Sequence, residues 1–241
     1  MKKLLFSAGL ALLVIALSSA AAQATGNPHL RTYQITLENL TGGQPFSPPV
    51  AATHRHGIEV FDVGSRASPE LELIAEDGNE VPMFERLMMS KKVTEALDIG
   101  RPLTPHGTTV GDFTDSVTFQ IEARPGDRFS LATMLICTND GITGLDGIHL
   151  PHHGERVFYL GGYDAGTEDN TEASQDIVDP CSALGPAPLD GDPDGNEDSA
   201  VDTHPQRRVR HHPGIAGLDD LDPELHGWKG PVARVTIERV D

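Results

Sequence analysis

Positive charge is scarce in this chain of 241 residues: 18 Lys and Arg stand against 36 Asp and Glu, a formal charge of −18. Such a surface repels phosphate backbones and anionic lipid and attracts cations, so nucleic acid and unaided anionic-membrane binding are excluded. Tryptophan occurs once and aromatics make up 5% of the residues. With a hydrophobic share of 38%, the core is adequate rather than rich, and something besides apolar burial is expected to help hold the fold. Beyond Thr25 no apolar run is long enough to span a bilayer, which takes about 20 residues. There is no His-Glu-x-x-His pair for a zinc hydrolase and no Gly-x-Ser-x-Gly elbow for a serine nucleophile. No internal repeat is visible.

The chain opens with Lys2 and Lys3, an apolar stretch over 4–17 interrupted only by Ser7 and Gly9, and then small residues. Ala22-Gln23-Ala24 fits the small-x-small pattern of a signal-peptidase site. Residues 1–24 are therefore expected to be a signal peptide and 25–241 a single exported domain, periplasmic or extracellular, without a transmembrane anchor. The two cysteines, Cys137 and Cys181, are expected to pair in an oxidising compartment. Closing that loop is worth about 3–4 kcal/mol in the chain-entropy view. Two buried free thiols are the alternative.

Alternation with period two marks strands over 32–40, 116–123 and 231–240. Residues 128–137 are apolar enough for a central strand buried on both faces. Shorter strands are expected over 58–63 and 156–160. Ser68 as N-cap, Pro69 at the first position and Gly78 as terminator predict a helix over 69–76. A second helical piece is expected over 82–97, although Val93-Thr94 weakens it. Strands dominate and do not alternate regularly with helices, so the fold class is mainly β, an antiparallel sandwich rather than a parallel α/β sheet. Residues 164–222 are rich in Asp, Glu, Gly, Pro and His and lack periodicity. A long irregular segment of that kind is usually functional or ordered by an ion.

The strongest local signal for chemistry follows the expected central strand, where Asp140 stands beside Gly141 after Thr138-Asn139. Further on, Asp164 and Glu168 lie four apart around Gly166, with Asp169 next. These segments offer oxygens without intervening sulfur or imidazole, which favours Ca²⁺ over Zn²⁺. On composition alone, solvated loop carboxylates are an equal reading.

Resemblance shifts that balance. Phe46-Ser47-Pro48 with His54, Ala67-Ser68-Pro69 running to Ala75-Glu76-Asp77-Gly78, Met134 to Asp146, and Asp164-Ala165-Gly166-Thr167 resemble, in order, four motifs of the spondin domain of the F-spondin and mindin family. The likeness extends over about residues 32–172. It implies a C2-like β-sandwich of about eight strands with short helices, Ca²⁺ at the loop end, and no catalysis. It further implies that Asp140, Asp164 and Glu168 are the metal ligands. Two departures stand out: the family's Ser-Pro-Asp-Trp is here Thr138-Asn139-Asp140-Gly141, and Glu168 replaces an Asp, so Asp169 competes as the third ligand.

Two other features compete for a metal. Residues 190–198 carry oxygens at Asp190, Asp192, Asp194 and Asp198 with Gly195 at the sixth position, the front half of a helix–loop–helix Ca²⁺ loop. Val201 stands where the bidentate Glu belongs. Of the 11 histidines, His54, His56, His152, His153, His204, His211, His212 and His226 are numerous enough for a transition-metal site, but no pair has helical ligand spacing. Trp228 reads as a core anchor. The resulting expectation is an exported Ca²⁺-binding module for a protein or glycan partner. The alternative is a metal-dependent hydrolase using His and Asp.

Overall fold

A computed structural model describes residues 30–187, 189 and 207–241. The expected signal peptide, the acidic loop at 190–198 and His204 lie outside the described residues. The architecture is two antiparallel sheets facing each other, with two helices against the outer face of one. The first sheet orders β6 (Ser116–Ala123), β1 (Arg31–Asn39), β12 (Ala233–Arg239) and β9 (Glu155–Leu160). The second orders β11 (Arg210–His211), β10 (Tyr163–Asp164), β8 (Gly141–His149), β7 (Arg128–Met134), β2 (Val50–His54) and β3 (Val93–Asp98). A two-stranded ribbon, β4 (Thr109–Val110) with β5 (Phe113–Thr114), completes it. The eight strands of five or more residues match the number expected.

The alternation of β1 sets the first core. Tyr33, Ile35 and Leu37 are buried while their neighbours are only partly covered. Ile35 sits opposite Phe119 on one side and Ile237 on the other. Across the gap they meet Ala51, Phe129 and Leu131 of the second sheet. Burying each such aliphatic side chain contributes about 1.5–3 kcal/mol. The second sheet is covered on both faces. Val50, Ala52 and Ala132 turn the other way, toward Leu71, Ile74 and Ala75 of α1 (Pro69–Asp77) and Met83 and Leu87 of α2 (Val81–Met88). That double cover explains why β7 is buried from Phe129 to Met134.

The helix α1 forms as its punctuation predicts. Ser68 Oγ accepts from the Leu71 N–H at 3.3 Å, Pro69 occupies the first turn, and Gly78 closes the helix at φ 65°. A Cβ on Gly78 would stand 2.9 Å from Cβ of Ser47. Elsewhere the structure departs from expectation. Residues 58–63 form an irregular loop rather than a strand, yet Val60 and Phe61 are buried in the second core. The second helix stops at Met88, and the β-branched Val93-Thr94 opens β3 instead. The glycines after Asp140 do not open a loop: the chain enters strand β8 at Gly141. No helix among the described residues is long and apolar enough to cross a membrane.

Cys137 and Cys181 are joined, with Cα atoms 5.0 Å apart. The bond ties the end of the central strand to the short helix α3 (Pro180–Leu184), inside a third apolar cluster with Ile136, Ile177 and Leu221. Gln44 reinforces this point. Its amide oxygen accepts from Cys137 N–H at 2.9 Å, and its amide nitrogen donates to the carbonyls of Cys137 and His226.

Candidate metal centre

Strand pairing brings the first two candidate ligands together. The short strand β10 lies along the start of β8, with Asp164 opposite Gly141, and Ala165 N–H donates to the Asp140 carbonyl at 3.1 Å. Asp140 and Asp164 are therefore neighbours on adjoining strands, and both are fully buried. The chain then turns at Gly166, in the left-handed region at φ 76°. A Cβ there would lie 2.9 Å from backbone and side chain of Arg207. This turn points successive N–H groups inward. Oδ2 of Asp140 accepts from Thr167 N–H at 2.8 Å and Glu168 N–H at 3.2 Å. Glu168 itself is buried beside it, at 1% exposure.

The charge arrangement is unbalanced. Asp164 Oδ2 accepts from Arg210 and from the Asn170 amide, each at 2.7 Å, because β11 sets Arg210 opposite Asp164. Oδ1 of Asp140 and Oδ1 of Asp164 are buried and accept no hydrogen bond. Burial, then the nearby Asp164 charge, pushes the Asp140 carboxyl up to about 6, against the opposing pull of the turn N–H groups. Glu76, at the end of α1, joins the cluster. It hydrogen-bonds the Thr167 side chain, and burial raises its carboxyl to about 7, with Glu72, Asp140 and Asp77 adding to the rise. Buried carboxylates normally have a cationic or hydrogen-bonding partner for each oxygen. Here one guanidinium serves a buried carboxylate pair.

Among the described residues, no three His, Cys, Asp or Glu side chains are arranged as a ready ligand set. The donors that do meet are hard oxygens with surplus negative charge, a composition that fits a hard divalent cation better than a transition metal. Asp169 pairs with Arg207.

The surrounding loop is held by buried polar side chains. Asn139 accepts from Glu172 N–H at 3.1 Å and donates to Thr171 Oγ1 at 3.1 Å. Glu172, at φ 58°, clamps the N–H groups of Ala216 and Leu218, each at 2.7 Å. Sequence reasoning missed Glu76, Arg210 and Glu172. The first sits inside a motif singled out only for its resemblance, and the others lie in the stretch without periodicity.

The histidines scatter. His54 is fully buried between Ser130 Oγ and the Arg55 carbonyl. His211 stacks on Tyr163 with ring centres 5.1 Å apart. His212 packs 5.1 Å from the Trp228 ring, and burial lowers its pKa to about 4. His226 Nδ1 accepts from Asp222 N–H. His56, His152 and His153 are exposed. Trp228 is only half-buried: it packs against the first core and also lines a surface cleft.

A comparison with curated proteins returns no match. A family model, Spondin_N, matches residues 26–179, a stretch that holds β1 to β10, the helix pair, Asp140, Asp164 and Glu168. With more than half of its length matched in this way, the chain belongs to the spondin N-terminal domain family.

Proposed function

We propose that this protein is an exported, surface-associated binding module of the spondin type whose loop end is ordered by Ca²⁺, and that it binds a protein or glycan partner rather than catalysing a reaction. The observation that carries the metal is the pair of buried, unbonded oxygens on Asp140 and Asp164, side by side at one end of the second sheet. Glu168 is the third ligand of this reading, and Glu76 faces the same cluster through Thr167. A cation there would neutralise charge that Arg210 offsets only in part, and would fix the loop 165–172 on which Asn139 and Glu172 hang. A loop held in one geometry by an ion is a suitable recognition surface, since its ordering cost is met before the partner arrives. The disulfide and the family membership both fit an extracellular setting. The buried or packed histidines, His54, His211, His212 and His226, each have a different partner in the fold, which lends the hydrolase reading no support.

Calorimetric titration of EGTA-stripped protein tests this. Ca²⁺ is expected to bind and Asp164→Asn to abolish the heat, with Zn²⁺ giving no comparable response. Absence of a Ca²⁺ signal in the wild type would sink the proposal.

A further inference from the structure

The two ends of the sandwich differ in charge. Along the β7–β8 hairpin, Met134 pairs with Ile142 beside the carboxylate cluster, while Arg128 pairs with His149 at the far end. Six residues of strand separate them, about 20 Å. At that far end the start of β1, the β6–β7 turn and the connection from β8 to β9 enclose a cleft of about 490 Å³. Arg31, Arg124 and Arg156 line it. In a chain with net charge −18, three guanidiniums at one cleft need an explanation.

None of the three has a carboxylate partner among the described residues. Arg31 and Arg124 make no side-chain hydrogen bond there, and Arg156 donates only to the His149 carbonyl while lying over the Phe158 ring. The one acid lining the cleft, Asp127, is withdrawn. Its side chain is fully buried, paired with Arg55 at 3.1 Å and accepting from Thr94 Oγ1 and Arg124 N–H. Asp241 is likewise taken, by Arg239 and Thr32 N–H. The exposed Glu122 and Glu155, nearest in sequence, make no ion pair with the three arginines. The floor is apolar where Tyr33 and Leu150 contribute, and the imidazoles of His149, His152 and His153 edge it.

We propose that this cleft binds an anionic sugar of one or two rings, through a sulfate ester or carboxylate held by Arg31, Arg124 and Arg156. Guanidinium forks suit oxyanions because they donate two parallel hydrogen bonds. The apolar floor suits the C–H face of a ring, and the imidazole edges can meet hydroxyls. The volume lies within the range of small-ligand sites, about 300–1,000 Å³. An extended polyanion would meet the acidic remainder of the surface and be repelled. This deepens the reading of the domain as a binding module but makes no use of the carboxylate cluster.

The test is calorimetry on the full mature chain in EGTA, so that failure of the Ca²⁺ reading leaves it unaffected. The probes are a heparin-derived sulfated disaccharide, a glucuronate-containing disaccharide and a neutral disaccharide. At least one anionic probe is expected to bind, and added salt to weaken it. Binding of the sulfated probe alone identifies a sulfate ester, and of the glucuronate probe alone a carboxylate. Arg31→Gln/Arg124→Gln is expected to weaken binding tenfold or more with an unchanged melting temperature. Arg124→Gln alone serves as a second variant should the double one melt early. Arg66→Gln, on an exposed loop away from the cleft, is expected to have no effect. The proposal fails if neither anionic probe binds, if the neutral one binds equally well, if the arginine variants match the wild type, or if Arg66→Gln weakens binding as much as they do.

Discussion

Asp140 and Asp164 show how a carboxylate becomes informative: it is the oxygen left over after the protein's own donors are used. Asp164 spends Oδ2 on Arg210 and Asn170 and keeps Oδ1 free of hydrogen bonds. Ca²⁺ at a hundredfold excess over Kd is expected to stabilise the fold by about 2.7 kcal/mol, raising the melting temperature. Asp164→Asn should remove most of that rise. Glu168→Gln should weaken Ca²⁺ binding at least tenfold while Asp169→Asn, which breaks the pair with Arg207, should not; the reverse result would move the third ligand to Asp169. Glycines beside acidic residues mark turns, which is why the sequence pointed to Asp140, Asp164 and Glu168, and the structure sets them close together; their ligand role comes from the resemblance. Glu76 was not legible, since nothing in Ala75-Glu76-Asp77 indicates that the helix end meets a turn some 90 residues away. A different acid gives a pH test. Burial, and a hydrogen bond shared with Asp98, raise the Glu80 carboxyl from 4.5 to about 7. The native state therefore holds its proton more tightly than the unfolded chain does. The stabilisation is complete below pH 4.5 and is lost as pH rises through about 7. Compared with wild type, Glu80→Gln is expected to gain relative stability between pH 5 and pH 8, measured by urea unfolding at each pH.

At the level of elements, legibility followed pattern: strands covered on one face showed alternation, and doubly covered β7 showed an unbroken run of mostly apolar residues. The strands β1 and β12, covered on one face, alternate and could be read directly. By contrast β2 is Val-Ala-Ala-Thr-His, buried throughout, and its small residues carry no period because two cores demand apolar groups on both sides. The helix α1 was readable from its caps alone. Gly78→Ala should destabilise by about 1–3 kcal/mol, because the αL backbone and the contact with Ser47 both oppose a side chain. A chemical denaturation midpoint would report it. The disulfide ties the segment after β7 to α3 inside the third apolar cluster. Replacing both Cys137 and Cys181 by Ala is expected to cost about 2–5 kcal/mol. It should also weaken Ca²⁺ binding, because Asn139 and the 171–176 segment hang on the strand end that the bond holds. Equal Ca²⁺ affinity in that variant would show that the loop is ordered without the bond.

For the molecule as a whole, the mainly β, sandwich-type class followed from strands that outnumber helices without alternating with them. The pairing order did not follow, because antiparallel neighbours such as β1 and β12 are nearly the whole chain apart and only the fold reveals their register. The segment after β10, opaque to any periodic reading, is held by side chains that bond to backbone, Glu172 and Gln44 above all. Trp228, the sole tryptophan, stands where that segment meets the sheet. Its ring lies 5.1 Å from His212, and a Cβ on Gly162, two residues before Asp164, would come within 3.0 Å of it. The indole thus packs on the chain leading into Asp164 and can serve as an optical gauge of it. Its emission should respond to Ca²⁺ in the wild type and stay flat in Asp164→Asn. Because burial holds His212 neutral down to about pH 4, quenching by a cationic imidazole should be absent at neutral pH and set in only under strong acid. Fluorescence can therefore follow the ion from pH 5 to 8 without interference from the neighbouring ring.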